Sequence, residues 1–283
     1  MEGWSDACRT GAGDGGQMDI GGSLGEITVT VALLMILAAL AAGWIDAVVG
    51  GGGLLQLPAL LLVPGITPVE ALATNKLASL FGTTTSAVTW YRRTHPDLRT
   101  ALPMAAVALV GSYGGASLAA LLPASVFKPL VVVALVIVAV VTIARPKLGD
   151  VAALRHTGRK HHGIAALLGV VIGFYDGLIG PGTGTFLIIA LITALGYDFV
   201  LASAKAKIVN VATNLGALAF FIPQGHVLWA LALGMGVANM VGGYAGSRMA
   251  VARGSRFIRI AFIVVVAVLI VKVGSDVVAE WGA

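Results

Sequence analysis

Eight runs of apolar residues, 27–49, 67–91, 101–122, 126–144, 163–180, 197–222, 227–247 and 257–273, fill most of this chain. Each is long enough, as a helix rising 1.5 Å per residue, to cross a hydrocarbon core of about 30 Å or nearly so. Inside lipid every backbone N–H and C=O must be satisfied within the protein, so such runs fold as helices. The composition agrees: 58% of the 283 residues are hydrophobic and only 11% are charged, against about 25% charge in soluble domains. The sequence predicts an all-α polytopic membrane protein.

Two shorter apolar pieces, 54–63 and 185–195, each follow a glycine-rich break. At about 15–17 Å they cover half a bilayer core. They also reveal a repeat. GWIDAVVGGGG (43–53) recurs as GFYDGLIGPGTG (173–184), EALATNKLAS (70–79) as LASAKAKIVN (201–210), and VGSYGGAS (110–117) as VGGYAGSR (241–248). The offset is 130 before the break and 131 after it, which predicts two structurally equivalent halves. The expected organisation is a disordered tail over 1–26, a first transmembrane repeat over 27–145, a basic linker over 146–162, a second repeat over 163–273 and a tail over 274–283. Met18 offers an alternative start.

Loop charge orients the halves. Three loops hold 12 of the 18 Lys and Arg: Arg92, Arg93 and Arg99; Arg145, Lys147, Arg155, Arg159 and Lys160; and Arg248, Arg253, Arg256 and Arg259. All three fall on the cytoplasmic side only if each short piece crosses. Each half then crosses five times, ten in total, an odd count per half inverts the second repeat, and both termini lie outside. Eight spans with two re-entrant segments is the alternative. Trp44, Trp90 and Trp229 fall near span ends, as an aromatic belt would. The net charge of +5 reflects these loops and does not indicate nucleic acid. The partner implied is the lipid bilayer, and a homodimer is compatible with the sequence.

Lys76 and Lys207 occupy matching positions in the two repeats, about 14 Å into their helices, near the bilayer midplane. A charge at that depth usually marks a pathway or a binding site. Ser203, Lys207, Asn210 and Asn214 share one helix face, and Lys76, Ser79 and Thr83 match its last three positions; Asn75 lies beside Lys76. Two ammonium groups among such donors suit a compact anion. The structural alternative is that each lysine is neutralised by a carboxylate or snorkels to the interface. The breaks, Gly50, Gly51, Gly52 and Gly53 and then Gly180, Gly182, Thr183, Gly184 and Thr185, can present helix N-termini to an anion, although glycine equally serves tight turns and close contact. Asp46 and Asp176 stand four residues before each break. They read first as caps of the broken helices, and otherwise as counter-ions to the lysines or as proton-coupling groups. Lys205 points elsewhere, with a structural or interfacial role. Gly111, Gly114 and Gly115, and Gly242, Gly243 and Gly246, read as small-residue seams. His156, His161 and His162 read as part of a solvated loop, with no metal site expected. The single cysteine, Cys8, excludes an internal disulfide. No nucleophile elbow, zinc-protease helix or phosphate loop occurs, so neither an enzyme nor a cofactor is expected.

GWIDAVVGGGGLLQLPALLL with ITPVEALATNKLAS, then GFYDGLIGPGTGTFL and SAKAKIVNVATNLGALAFF, and the later GGYAGSRMA, resemble the sulfite exporter TauE/SafE family, also called toluene sulfonate uptake permeases. The resemblance covers nearly all of the chain beyond residue 26. It implies a bacterial inner-membrane permease for small sulfur-containing anions such as sulfite, sulfoacetate and other organosulfonates, thiosulfate, or related carboxylates. A secondary transporter with a central site at the repeat interface is the favoured expectation. An anion channel, or a non-transporting assembly or sensor protein, is the alternative.

Overall fold

The computed structural model describes residues 29–123, 125–127, 129–130, 133, 137 and 153–281. Among these the regular structure is helical throughout. The helices are α1 (Val29–Val49), α2 (Gly53–Leu61), α3 (Pro68–Thr94), α4 (Leu98–Ala119), α5 (Gly158–Leu178), α6 (Thr183–Ala190), α7 (Phe199–Phe221) and α8 (Trp229–Trp281), with a π-turn at Leu191–Leu195 after α6. The expected tail 1–26 and most of the span 126–144 lie outside the described residues.

Among the described residues three helices, Thr30–Val49, Leu98–Ala119 and Gly158–Leu178, are long and apolar enough to cross a membrane. Their outward faces carry exposed Leu33, Leu37, Val110, Leu167 and Val171, the reverse of a water-soluble surface and suited to lipid. The central α3 and α7 are long but more polar, and their polar side chains are turned inward.

Local chemistry sets where α3 and α7 begin. Thr67 and Glu70 form a capping box, with Pro68 in the first turn. The Asp198 carboxylate accepts from the N–H groups of Val200 and Leu201, both at 2.9 Å. Lys76 and Lys207 each lie nine residues after their cap, so the caps set their equal depth.

Contacts pair off between the halves. α1 lies along α8 as α4 lies along α5; α8 also packs on α3, and α4 on α7; α3 meets α7. Glycine seams let the backbones approach. A Cβ on Gly115 would lie 2.0 Å from the Phe174 carbonyl oxygen, and one on Gly242 would lie 2.0 Å from that of Leu40. Gly111, Gly243 and Gly246 are equally closed by backbone, whereas Gly114 meets only the Phe174 ring, at 3.8 Å.

Five expectations change. The two last spans, 227–247 and 257–273, form one helix, and the basic stretch between them is helical, because it holds no proline and its arginines are good helix formers. That helix also runs through most of 274–283. The linker expected to reach residue 162 ends at Thr157, where α5 begins. His161 is therefore buried rather than solvated: Nδ1 donates to the His156 carbonyl at 3.2 Å, leaving Nε2 to accept from the Tyr197 hydroxyl at 3.0 Å. Trp90 is fully buried instead of belonging to a belt, its indole N–H donating to the Ala47 carbonyl at 3.2 Å.

Candidate functional site

The two glycine breaks meet at the centre of the molecule. Gly50 and Gly180, at corresponding positions, take the left-handed backbone with φ of 82° and 92°, which glycine adopts without steric cost. The Thr185 N–H donates to the Gly50 carbonyl at 3.2 Å and its hydroxyl to the Val49 carbonyl at 3.0 Å. A Cβ on Gly50 would sit 2.4 Å from the Gly184 carbonyl carbon, and one on Gly184 would sit 2.6 Å from Gly50 Cα. Close backbone contact at this crossing requires both glycines.

The buried charges pair crosswise around that contact. Lys76 on α3 lies with Nζ 2.7 Å from Asp176 Oδ2 on α5. Lys207 on α7 lies with Nζ 2.8 Å from Asp46 Oδ2 on α1 and also donates to the Asp46 backbone carbonyl. Each lysine is neutralised by the acid of the opposite half. The caps expected of Asp46 and Asp176 do not form: Gly52 and Gly182 hold the N-cap positions of α2 and α6, with no side-chain cap bond. The carboxylates face the lysines instead, because a buried ammonium costs several kcal/mol unless paired. Asp176 also accepts the Thr183 hydroxyl at Oδ1, 2.6 Å away. Its Oδ2 faces the Lys76 ammonium.

A polar cavity opens between the pairs. It is lined by Asp46, Gly50, Gly53, Asn75, Lys76, Ser79, Thr83, Asp176, Gly180, Gly182, Thr183, Gly184, Asn210 and Asn214. About 20 Å³ of it is open to water, room for one or two molecules. Asn214 Nδ2 donates to the Thr83 hydroxyl oxygen at 3.3 Å, tying α7 to α3 across the cavity. Asn210 Oδ1 accepts from Thr213 at 3.2 Å, and the Asn75 amide oxygen is buried without a partner.

Not every candidate from the sequence reaches this space. Gly51, Gly52, Thr185 and Lys207 lie outside the lining. Ser203 is turned back on its helix, its hydroxyl donating to the Phe199 carbonyl at 2.7 Å. Lys205 points to the Asp97 carbonyl and lies 4.7 Å from the Tyr197 ring centre, away from the cavity. Gly50 and Gly180, the first glycine of each break, also line the cavity. Among the described residues no cluster of three His, Cys, Asp or Glu could hold a metal.

The sulfite exporter TauE/SafE family model matches residues 35–273. The chain belongs to the TauE/SafE family. The resemblance carried by the two glycine breaks and the lysine segments is thereby established across nearly all of the described chain. Among TauE/SafE relatives, a probable membrane transporter protein of a Sinorhizobium species is 36% identical over 242 residues, covering 86% of this chain and 92% of that protein. The probable membrane transporter protein YfcA of Escherichia coli K12 is 34% identical, covering 86% and 89%. A probable membrane transporter protein of Haemophilus influenzae is 31% identical, covering 83% and 91%. No solved structure matches this TauE/SafE chain.

Proposed function

We propose that this protein is a secondary transporter of small sulfur-containing anions, sulfite or organosulfonates such as sulfoacetate, in the bacterial inner membrane. The observation that carries the reading is the small polar cavity between two touching glycine breaks, walled by Lys76 and by Asn75, Ser79, Thr83, Asn210 and Asn214. A delocalised anion on several oxygens can share such N–H and O–H donors. The family membership and the transporter names of the relatives support it. In this reading the halves are inverted repeats, the N-terminus lies outside, and alternating access moves one half against the other around the site. An enzyme is disfavoured by the same relatives.

The test is a binding and uptake panel with purified protein: sulfite, sulfoacetate, isethionate, taurine, thiosulfate and sulfate, by thermal shift and in proteoliposomes. At least one sulfur anion is expected to bind and to show saturable uptake and counterflow. Lys76→Ala is expected to lose both in protein that remains folded. Non-saturating flux would favour a channel, and binding and flux unchanged in Lys76→Ala would remove that lysine from the site.

A further inference from the structure

The charge balance of the cavity constrains how an anion can enter it. Two ammonium groups and two carboxylates already cancel there. An added monoanion leaves one uncompensated negative charge in a buried site, and it must also compete with Asp176 for Lys76. Both obstacles cost several kcal/mol at this depth. One proton on Asp176 removes both at once. We infer that the anion travels with a proton carried on Asp176, and that Lys76 passes between the Asp176 carboxylate and the substrate. This deepens the transport reading and rests on it.

The geometry distinguishes the two pairs. Lys76 and Asp176 both line the cavity. Asp176 Oδ1 is occupied by the Thr183 hydroxyl at 2.6 Å, while Oδ2 faces the Lys76 ammonium at 2.7 Å. A proton settling on Oδ2 therefore displaces only that ammonium, which is then free to turn to the anion. Lys207 stays out of the cavity lining and holds Asp46 at both its carboxylate and its backbone carbonyl. That pair is a latch at the first glycine break, and it keeps its charges while the other opens.

Other charged groups do not compete for Asp176. From α3 it faces only Lys76, because Glu70, Arg92 and Arg93 sit in the end turns of that helix. From α1 comes Asp46, and from α7 Lys207, already paired with each other; Lys205 is turned to Asp97. α6 carries no titratable residue, and α4 brings Arg99 at its start and an exposed Tyr113. Tyr175, next in sequence, donates its hydroxyl to the Pro181 carbonyl at 2.6 Å. The step balances simply: the proton reaches Oδ2 from the side that supplies the anion, and it leaves with the anion on the other. Only the O–H bond forms and breaks.

Proteoliposomes with a trapped pH dye test this with radiolabelled isethionate and sulfoacetate; isethionate does not itself titrate near neutrality. Wild-type uptake is expected to acidify the lumen by one proton for each isethionate. Its rate should rise with an inward-directed proton gradient. Asp176→Asn is expected to carry the anion without acidification and without that response to the gradient. Asp46→Asn is expected to slow uptake yet keep one proton per anion. Wild-type uptake with no luminal acidification and no response to a proton gradient overturns the inference while leaving the transport reading intact. Coupling that survives in Asp176→Asn overturns it too. Uptake of neither anion also overturns it, and the binding panel then reports separately on the transport reading.

Discussion

Lys207 is the most costly residue to lose. Its ammonium holds both the Asp46 carboxylate and the backbone carbonyl beside the first break. Truncating one partner of a buried pair strands the other, at about 3–5 kcal/mol. Lys207→Ala should therefore lower the thermal midpoint of the detergent-purified protein sharply. Lys207→Met combined with Asp46→Leu should recover much of that loss, because no charge is then left alone; a double variant no more stable than Lys207→Ala would contradict the pairing. The depth of the lysines was legible in the sequence, since nine residues of helix after a cap is a fixed distance. Their partners were not. Asp46 and Asp176 sit beside glycine breaks, where an acid usually caps a helix, and only the fold brings each carboxylate to the lysine 161 or 100 positions away.

At the scale of elements, the glycine seams bring helices within backbone contact. Gly115→Ala would put a methyl 2.0 Å from the Phe174 carbonyl oxygen, whereas Gly114→Ala meets only ring carbons at 3.8 Å. The first should reduce the yield of monodisperse protein severely and the second scarcely change it, as gel-filtration profiles of the two variants would show. These seams could be read from small residues three or four apart. Most helices could be read from apolar runs, and α3 from the pattern Thr67, Pro68, Glu70. The join between 247 and 257 could not. Arginines mark a loop by the topology rule, but nothing in that stretch breaks a helix, and the backbone stays helical.

At the scale of the whole molecule, α1 lies along α8 as α4 lies along α5, and labelling tests the order of crossings proposed above. In a Cys8→Ser background, single cysteines at 64–66 should react with a membrane-impermeant thiol reagent from outside, and cysteines at 92–94 only after the membrane is permeabilised. Labelling of both groups from the same side would favour eight spans with re-entrant segments. The crosswise pairing has a further consequence during synthesis. The ribosome delivers Asp46 and Lys76 to the bilayer before Lys207 and Asp176 exist. The nascent first half thus holds an acid and a base whose partners are still untranslated. Until the second half inserts, that half is an incomplete folding unit, exposed to quality-control proteases.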